Sequence, residues 1–158
     1  MQALPDANNH AKDGGSGPRQ YVFLDVELSE RPVVVDFEVS ANNEANIALS
    51  SETRSLVDMY RIVFGAWITK MVVIRRCATQ PNTGCHTVTV PFSNPVLPGI
   101  PIYDHFWLTF DQGRLEIGRH GNQTPIIDWT DPDPLPVNHI GLWTGWGSEG
   151  YWEFHSFC

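Results

Sequence analysis

The sequence predicts an all-β protein, a single antiparallel β-sandwich of jelly-roll-like topology. Three observations lead there. Ten or more short runs alternate apolar and polar residues or are continuously apolar, clusters of turn residues separate them, and no window of a dozen residues carries an apolar stripe at helical spacing. Strands with one apolar face bury it by stacking on a second sheet, which makes the sandwich the economical solution.

Residues 1–20 are rich in Asn, Gly, Asp, Lys and Pro without periodicity, so they are expected to form a disordered arm or leader ahead of a domain over 21–158. Tyr21–Leu28 and Pro32–Val39 then alternate with period two, and Ala45–Leu49 is a short buried run. Tyr60–Phe64 and Met71–Arg75 follow as apolar strands rich in β-branched residues. His86–Val90, His105–Phe110, Arg114–Gly118, Ile126–Trp129, His139–Trp143 and Tyr151–Phe154 complete the set. Between them stand Asn42-Asn43, Pro81-Asn82, Asp111–Gly113, His120–Asn122 and Asp131–Pro134, where Gly and Asn accept left-handed backbone and Pro presets φ. Among the tryptophans, Trp107 and Trp143 are flanked by apolar strand residues and are expected in the core, whereas Trp146 between two glycines is the surface candidate.

A chain of 158 residues is the size of one domain and can bury roughly 70% of its unfolded surface without a metal. Its formal charge of −8 excludes a nucleic-acid footprint, which requires clustered Lys and Arg. The basic pair Arg75-Arg76 reads as a strand end with two solvated side chains. No run approaches the roughly 18 apolar residues of a membrane span, and the first residues lack the pattern of a secretory signal. Cys77 and Cys85 bracket a turn-rich segment and fit either a disulfide or two free thiols. Cys158 is the odd cysteine, a free thiol or an intermolecular bridge through which the chain could oligomerise.

Elimination narrows the chemistry. Gly145-Trp-Gly-Ser-Glu-Gly150 satisfies G-x-G-x-x-G, but only eight residues follow, too few for the helix, second strand and ribose-reading acid of a dinucleotide site. No serine occupies a G-x-S-x-G elbow. His86, His105, His139 and His155 read as hydrogen-bonded strand residues, and Asp104 and His105, as strand neighbours, face opposite ways and form no dyad. Paired metal-ligand spacing is absent, and Asp128, Asp131 and Asp133 read as a proline-stiffened turn in preference to a Ca²⁺ loop. No catalytic residue, metal or cofactor is therefore assigned.

Tyr60–Arg75, His105-Phe-Trp-Leu108, Leu115–Arg119, Asp128–Pro134 and Gly141–Trp152, in this order, resemble the farnesoic acid O-methyltransferase domain of invertebrates, and Ala45–Ser50 resembles the strand preceding these motifs. The likeness runs from about Tyr21 to Phe154. It departs at Ile68–Val72, where the family tends to have Gly-Asn-Thr-Lys-Ser; Arg75 matches. The resemblance implies two activities. One is S-adenosylmethionine-dependent methylation of farnesoic acid to a juvenile-hormone-type ester, although the strand, Gly-rich loop and helix that usually hold that cofactor are missing. The other is ligand recognition, since members also resemble modules beside DM9 repeats or in extracellular multidomain proteins.

The reading favoured is a non-catalytic module that grips a glycan or a small apolar, isoprenoid-like ligand through an aromatic rim, in an extracellular setting. Trp146, Trp143 and Trp67 would supply ring faces, with Arg75 and Glu149 as polar partners. The alternative is the methyltransferase.

Overall fold

The computed structural model describes residues 9–12, 21–53, 58–66, 71–78, 84–89, 99, 101–144 and 149–157. They form the strands β1 (Asn9–Lys12), β2 (Val22–Phe23), β3 (Val33–Ala41), β4 (Ala45–Ser50), β5 (Met59–Ala66), β6 (Met71–Ala78), β7 (Gly84–Thr87), β8 (Asp104–Asp111), β9 (Arg114–Arg119), β10 (Ile127–Thr130), β11 (His139–Thr144) and β12 (Glu149–Phe157), and no helix. The first sheet has the order β1-β12-β3-β8-β9-β10 and the second β2-β11-β4-β5-β6-β7. Neighbours pair antiparallel throughout, giving the jelly-roll-like sandwich.

Alternation decides which side chains meet between the sheets. Val33, Val35, Phe37 and Val39 of β3 and Phe106, Leu108 and Phe110 of β8 point inward from the first sheet. Ile47, Leu49, Ile62, Phe64, Val72, Ile74 and Leu142 face them from the second. Phe37, Phe64 and Phe106 cluster at the centre with ring centroids 4.9–6.0 Å apart, a spacing that favours tilted aromatic pairs.

Several elements differ from expectation for identifiable reasons. Tyr21–Leu28 keeps ladder pairing only at Val22–Phe23; beyond it, Leu24 and Leu28 donate backbone N–H to Ile140 and Asn138 of the chain at β11. Within the leading arm, Asn9–Lys12 pair with β12, an edge contact made by backbone groups and so independent of apolar patterning. The sixth predicted strand lies two residues early, as β7, because Cys77 and Cys85 stand opposite each other and are joined by a disulfide. Cys158 lies outside the described residues.

Trp107 is not a core residue. Phe106 and Leu108 take the inward positions, so Trp107 between them faces out, lying on Gly118 and donating Nε1–H to the Asn122 carbonyl at 2.8 Å. A methyl on Gly118 would sit 2.2 Å from the indole, so the bare α-carbon is what makes room. Among the described tryptophans, Trp152 is the one that is fully buried in the core. Trp143 also faces outward and is half-buried.

Arg76 corrects a second expectation, since it is not a solvated strand end. Its Nε donates to Asp131 Oδ2 at 2.7 Å and its Nη2 to the Asp133 carbonyl at 2.8 Å, tying β6 of the second sheet to the loop after β10 of the first. The Tyr60 hydroxyl donates to the same Asp131 oxygen at 2.7 Å and accepts the Leu135 N–H at 2.8 Å. Asp131 in turn accepts the Asp133 N–H, so this acidic turn fastens the two sheets together. Asp128 is held separately by Arg114.

Candidate functional site

The outer face of the second sheet carries a polar array. Register places Trp143 of β11 beside Asn46 of β4 and then Val63 of β5; one row along, Ala48, Arg61 and Arg75 line up across β4, β5 and β6. Arg61, a lone charge in an apolar strand, is only 2% exposed. A buried guanidinium must be paired and hydrogen-bonded to persist there. Its Nη2 donates to Glu44 Oε1 at 2.7 Å and its Nε to Asn46 Oδ1 at 2.7 Å. Asn46 Nδ2 closes the network, donating to Glu44 Oε1 at 3.2 Å and to the Trp143 carbonyl at 3.4 Å. The guanidinium lies 4.7 Å from the Trp143 ring centroid, and Tyr21 approaches the same indole at 6.3 Å.

The predicted site residues divide among three places. Trp143 is in this array, and Arg75 is on the same face three strands away, its Nε donating to Thr87 Oγ1 at 3.3 Å. Glu149 begins β12 in the first sheet and accepts the Tyr151 hydroxyl at 3.4 Å. Trp67 and Trp146 lie outside the described residues. Thr144, Ala45 and Phe64 stand opposite one another, so β5 and β11 leave the second sheet at the same end, with Ala66 and Thr144 as the last residues before 67–70 and 145–148. β12 starts at that end too: a methyl on Gly150 would meet Thr144 Cγ2 at 2.7 Å.

The sequence alone does not single out Glu44, Asn46 and Arg61. The available signal was an arginine inside Met59–Ala66, an otherwise uncharged strand, at the parity of the outer face. The histidine reading fares differently. Asp104 and His105 do face opposite ways, Asp104 pairing with Arg119 at 2.7 Å and His105 with Asp36 on the neighbouring β3. Each acid of the 128–133 turn also has its own role: Asp128 pairs with Arg114, Asp131 with Arg76 and Tyr60, and Asp133 is exposed.

Held against known structures, the chain is similar to the carbohydrate-binding module CBM66 from Bacillus subtilis, with a TM-score of 0.64 at 12% identity over 95% of this chain and 92% of that one. It is similar to the galectin LEC-6 of Caenorhabditis elegans, with a TM-score of 0.60 at 14% identity over 89% and 92%. Sheep galectin-11 in complex with glycerol aligns with a TM-score of 0.52 at 14% identity over 99% and 98%. Identities this low establish the shared sandwich fold. No curated protein sequence matches the chain. The family model described as farnesoic acid O-methyl transferase matches residues 17–157, nearly the whole length. The chain therefore belongs to the farnesoic acid O-methyltransferase domain family.

Proposed function

We propose that the chain is a non-catalytic recognition module that binds a glycan at the end of the second sheet where Trp143 stands. The observation that carries this reading is the Glu44–Asn46–Arg61–Trp143 network, an indole held against a guanidinium by a carboxylate and a carboxamide. Glu44, Asn46 and Arg61 are buried and hydrogen-bonded to one another, so they hold the half-buried Trp143 indole in a fixed pose from which its ring can meet sugar C–H groups. A small apolar, isoprenoid-like ligand would use the same rings and is the competing outcome of the binding test. Trp146 and Trp67, in the segments that continue β11 and β5, would extend the aromatic surface, while Arg75, three strands away, and Glu149, on the first sheet, would be reached only by a ligand that extends beyond it. The likeness of the fold to a carbohydrate-binding module and to galectins supports the same reading. The Cys77–Cys85 disulfide fits an oxidising, extracellular setting.

The test is a glycan array and a terpenoid panel, with hits followed by thermal shift on the wild type, Trp143→Ala and Trp146→Ala. Binding of a glycan that weakens at least about tenfold in Trp143→Ala, a loss of about 1.4 kcal/mol, is the expected result. Unchanged affinity in both folded variants would sink the site. The methyltransferase reading rests on the family description. It predicts protection by S-adenosylmethionine and transfer of its methyl group to farnesoic acid.

A further inference from the structure

The outer face of the first sheet gathers imidazoles and carboxylates from several strands, and we infer that it is a binding site for a zinc-class divalent ion held by Asp36, His105 and His155. One ligand atom from each of these three lies within 4.8 Å of the other two. A tetrahedral ion with bonds of about 2.0–2.2 Å needs its ligands about 3.4 Å apart, so small rotations of partly exposed side chains close the site. Two imidazole nitrogens with a carboxylate suit zinc and its neighbours, whereas Ca²⁺ and Mg²⁺ prefer all-oxygen shells.

Existing contacts already draw these groups together, and a bound ion would take the place of those made by the ligating atoms. His105 Nε2 is bonded to one oxygen of Asp36, and His120 Nδ1 stands 3.3 Å from the other while its ring stacks on His105 at 3.8 Å. His120 thus positions two ligands without being one. Glu38 lies 2.9 Å from His155 Nε2, and Glu38, Glu153 and His155 also bring their ligand atoms within 4.8 Å of one another. The three carboxylates give the patch a negative charge that a dication offsets.

The backbone supplies an independent argument. β12 pairs regularly with β3 up to Phe154 opposite Phe37, and the next pair is Ser156 opposite Asp36. His155 is the extra residue of a β-bulge, and its side chain is turned onto Glu38 and toward Asp36 and His105. Bulges re-aim side chains and occur preferentially beside functional sites.

This site lies on the opposite sheet from the proposed glycan site and does not depend on it. The test is calorimetric titration of the chelator-treated full chain with Zn²⁺, together with visible absorption after Co²⁺ substitution. Equimolar binding is expected, with affinity lowered at least about tenfold in His155→Ala and in Asp36→Asn. His139→Ala, on β11 of the other sheet, should leave binding unchanged. The Co²⁺ bands of a nitrogen- and oxygen-liganded ion should disappear in His105→Ala. Absence of saturable binding, or unchanged affinity in the folded His155→Ala and Asp36→Asn chains, overturns the assignment.

Discussion

Tyr60 shows how much one side chain can hold. It is fully buried, its ring lies against Phe110 and Trp129, and its hydroxyl links Asp131 to the Leu135 amide. Burial and the hydrogen bond to Asp131 push the phenol well above its ordinary value, so it remains a neutral donor. Tyr60→Phe should cost about 1–3 kcal/mol in urea unfolding, because it leaves the Leu135 N–H and an Asp131 oxygen short of a partner. Burial works against ionising Asp131, but hydrogen bonds from Arg76, Tyr60 and the Asp133 amide outweigh it and hold its carboxyl below the ordinary range. A depressed folded value means the stabilisation is complete above the unfolded value of about 3.9 and is lost as pH falls through the folded one. Unfolding free energy should therefore drop below about pH 4, and Asp131→Asn should remove that residue's share of the acid dependence. Asp128, lowered by its hydrogen bond from Arg114, acts in the same direction. Gly118→Ala should displace the Trp107 indole, visible as a fluorescence change, and cost about 1–3 kcal/mol as an overpacking substitution.

At the scale of the element, most strands were legible because each buries one face, and burial imposes period two. Legibility fails where another force decides. β1 is joined by a backbone ladder that apolar patterning does not announce, and β7 is placed by a covalent bond. Trp107 departs from expectation because apolar neighbours in a strand imply the opposite face, not the same environment. The polar array of the second sheet is legible only in part: Trp143 stands out in the sequence as an indole, while Arg61, Asn46 and Glu44 acquire meaning through pairing across β4 and β5. The histidines on the other sheet were read singly, since no spacing in the sequence joins Asp36 to His105 and His155. Reduction of Cys77–Cys85 should destabilise the domain by on the order of 2–3 kcal/mol, the entropy of a short closed loop. Amide exchange at Val88, bonded to Ile74 just beyond β7, should accelerate more than exchange in β4 or β5.

For the whole molecule, two outer faces carry two different polar assemblies, with an apolar core and the Tyr60–Arg76–Asp131 clasp between them. Sites without shared partners act independently when more than about 7–10 Å apart. The stability changes of Trp143→Ala and His155→Ala should therefore add in the double variant, as measured by chemical unfolding. The bulge at His155 has a genetic consequence. Removing one residue from a strand ordinarily turns every following side chain to the wrong face. Here Ser156 already stands opposite Asp36 and Phe157 opposite Val35, so a chain with His155 deleted would keep both pairs and still bury Phe157. A chain without His155 should therefore still fold, so that a lineage could gain or shed this imidazole in a single step without rebuilding the sandwich.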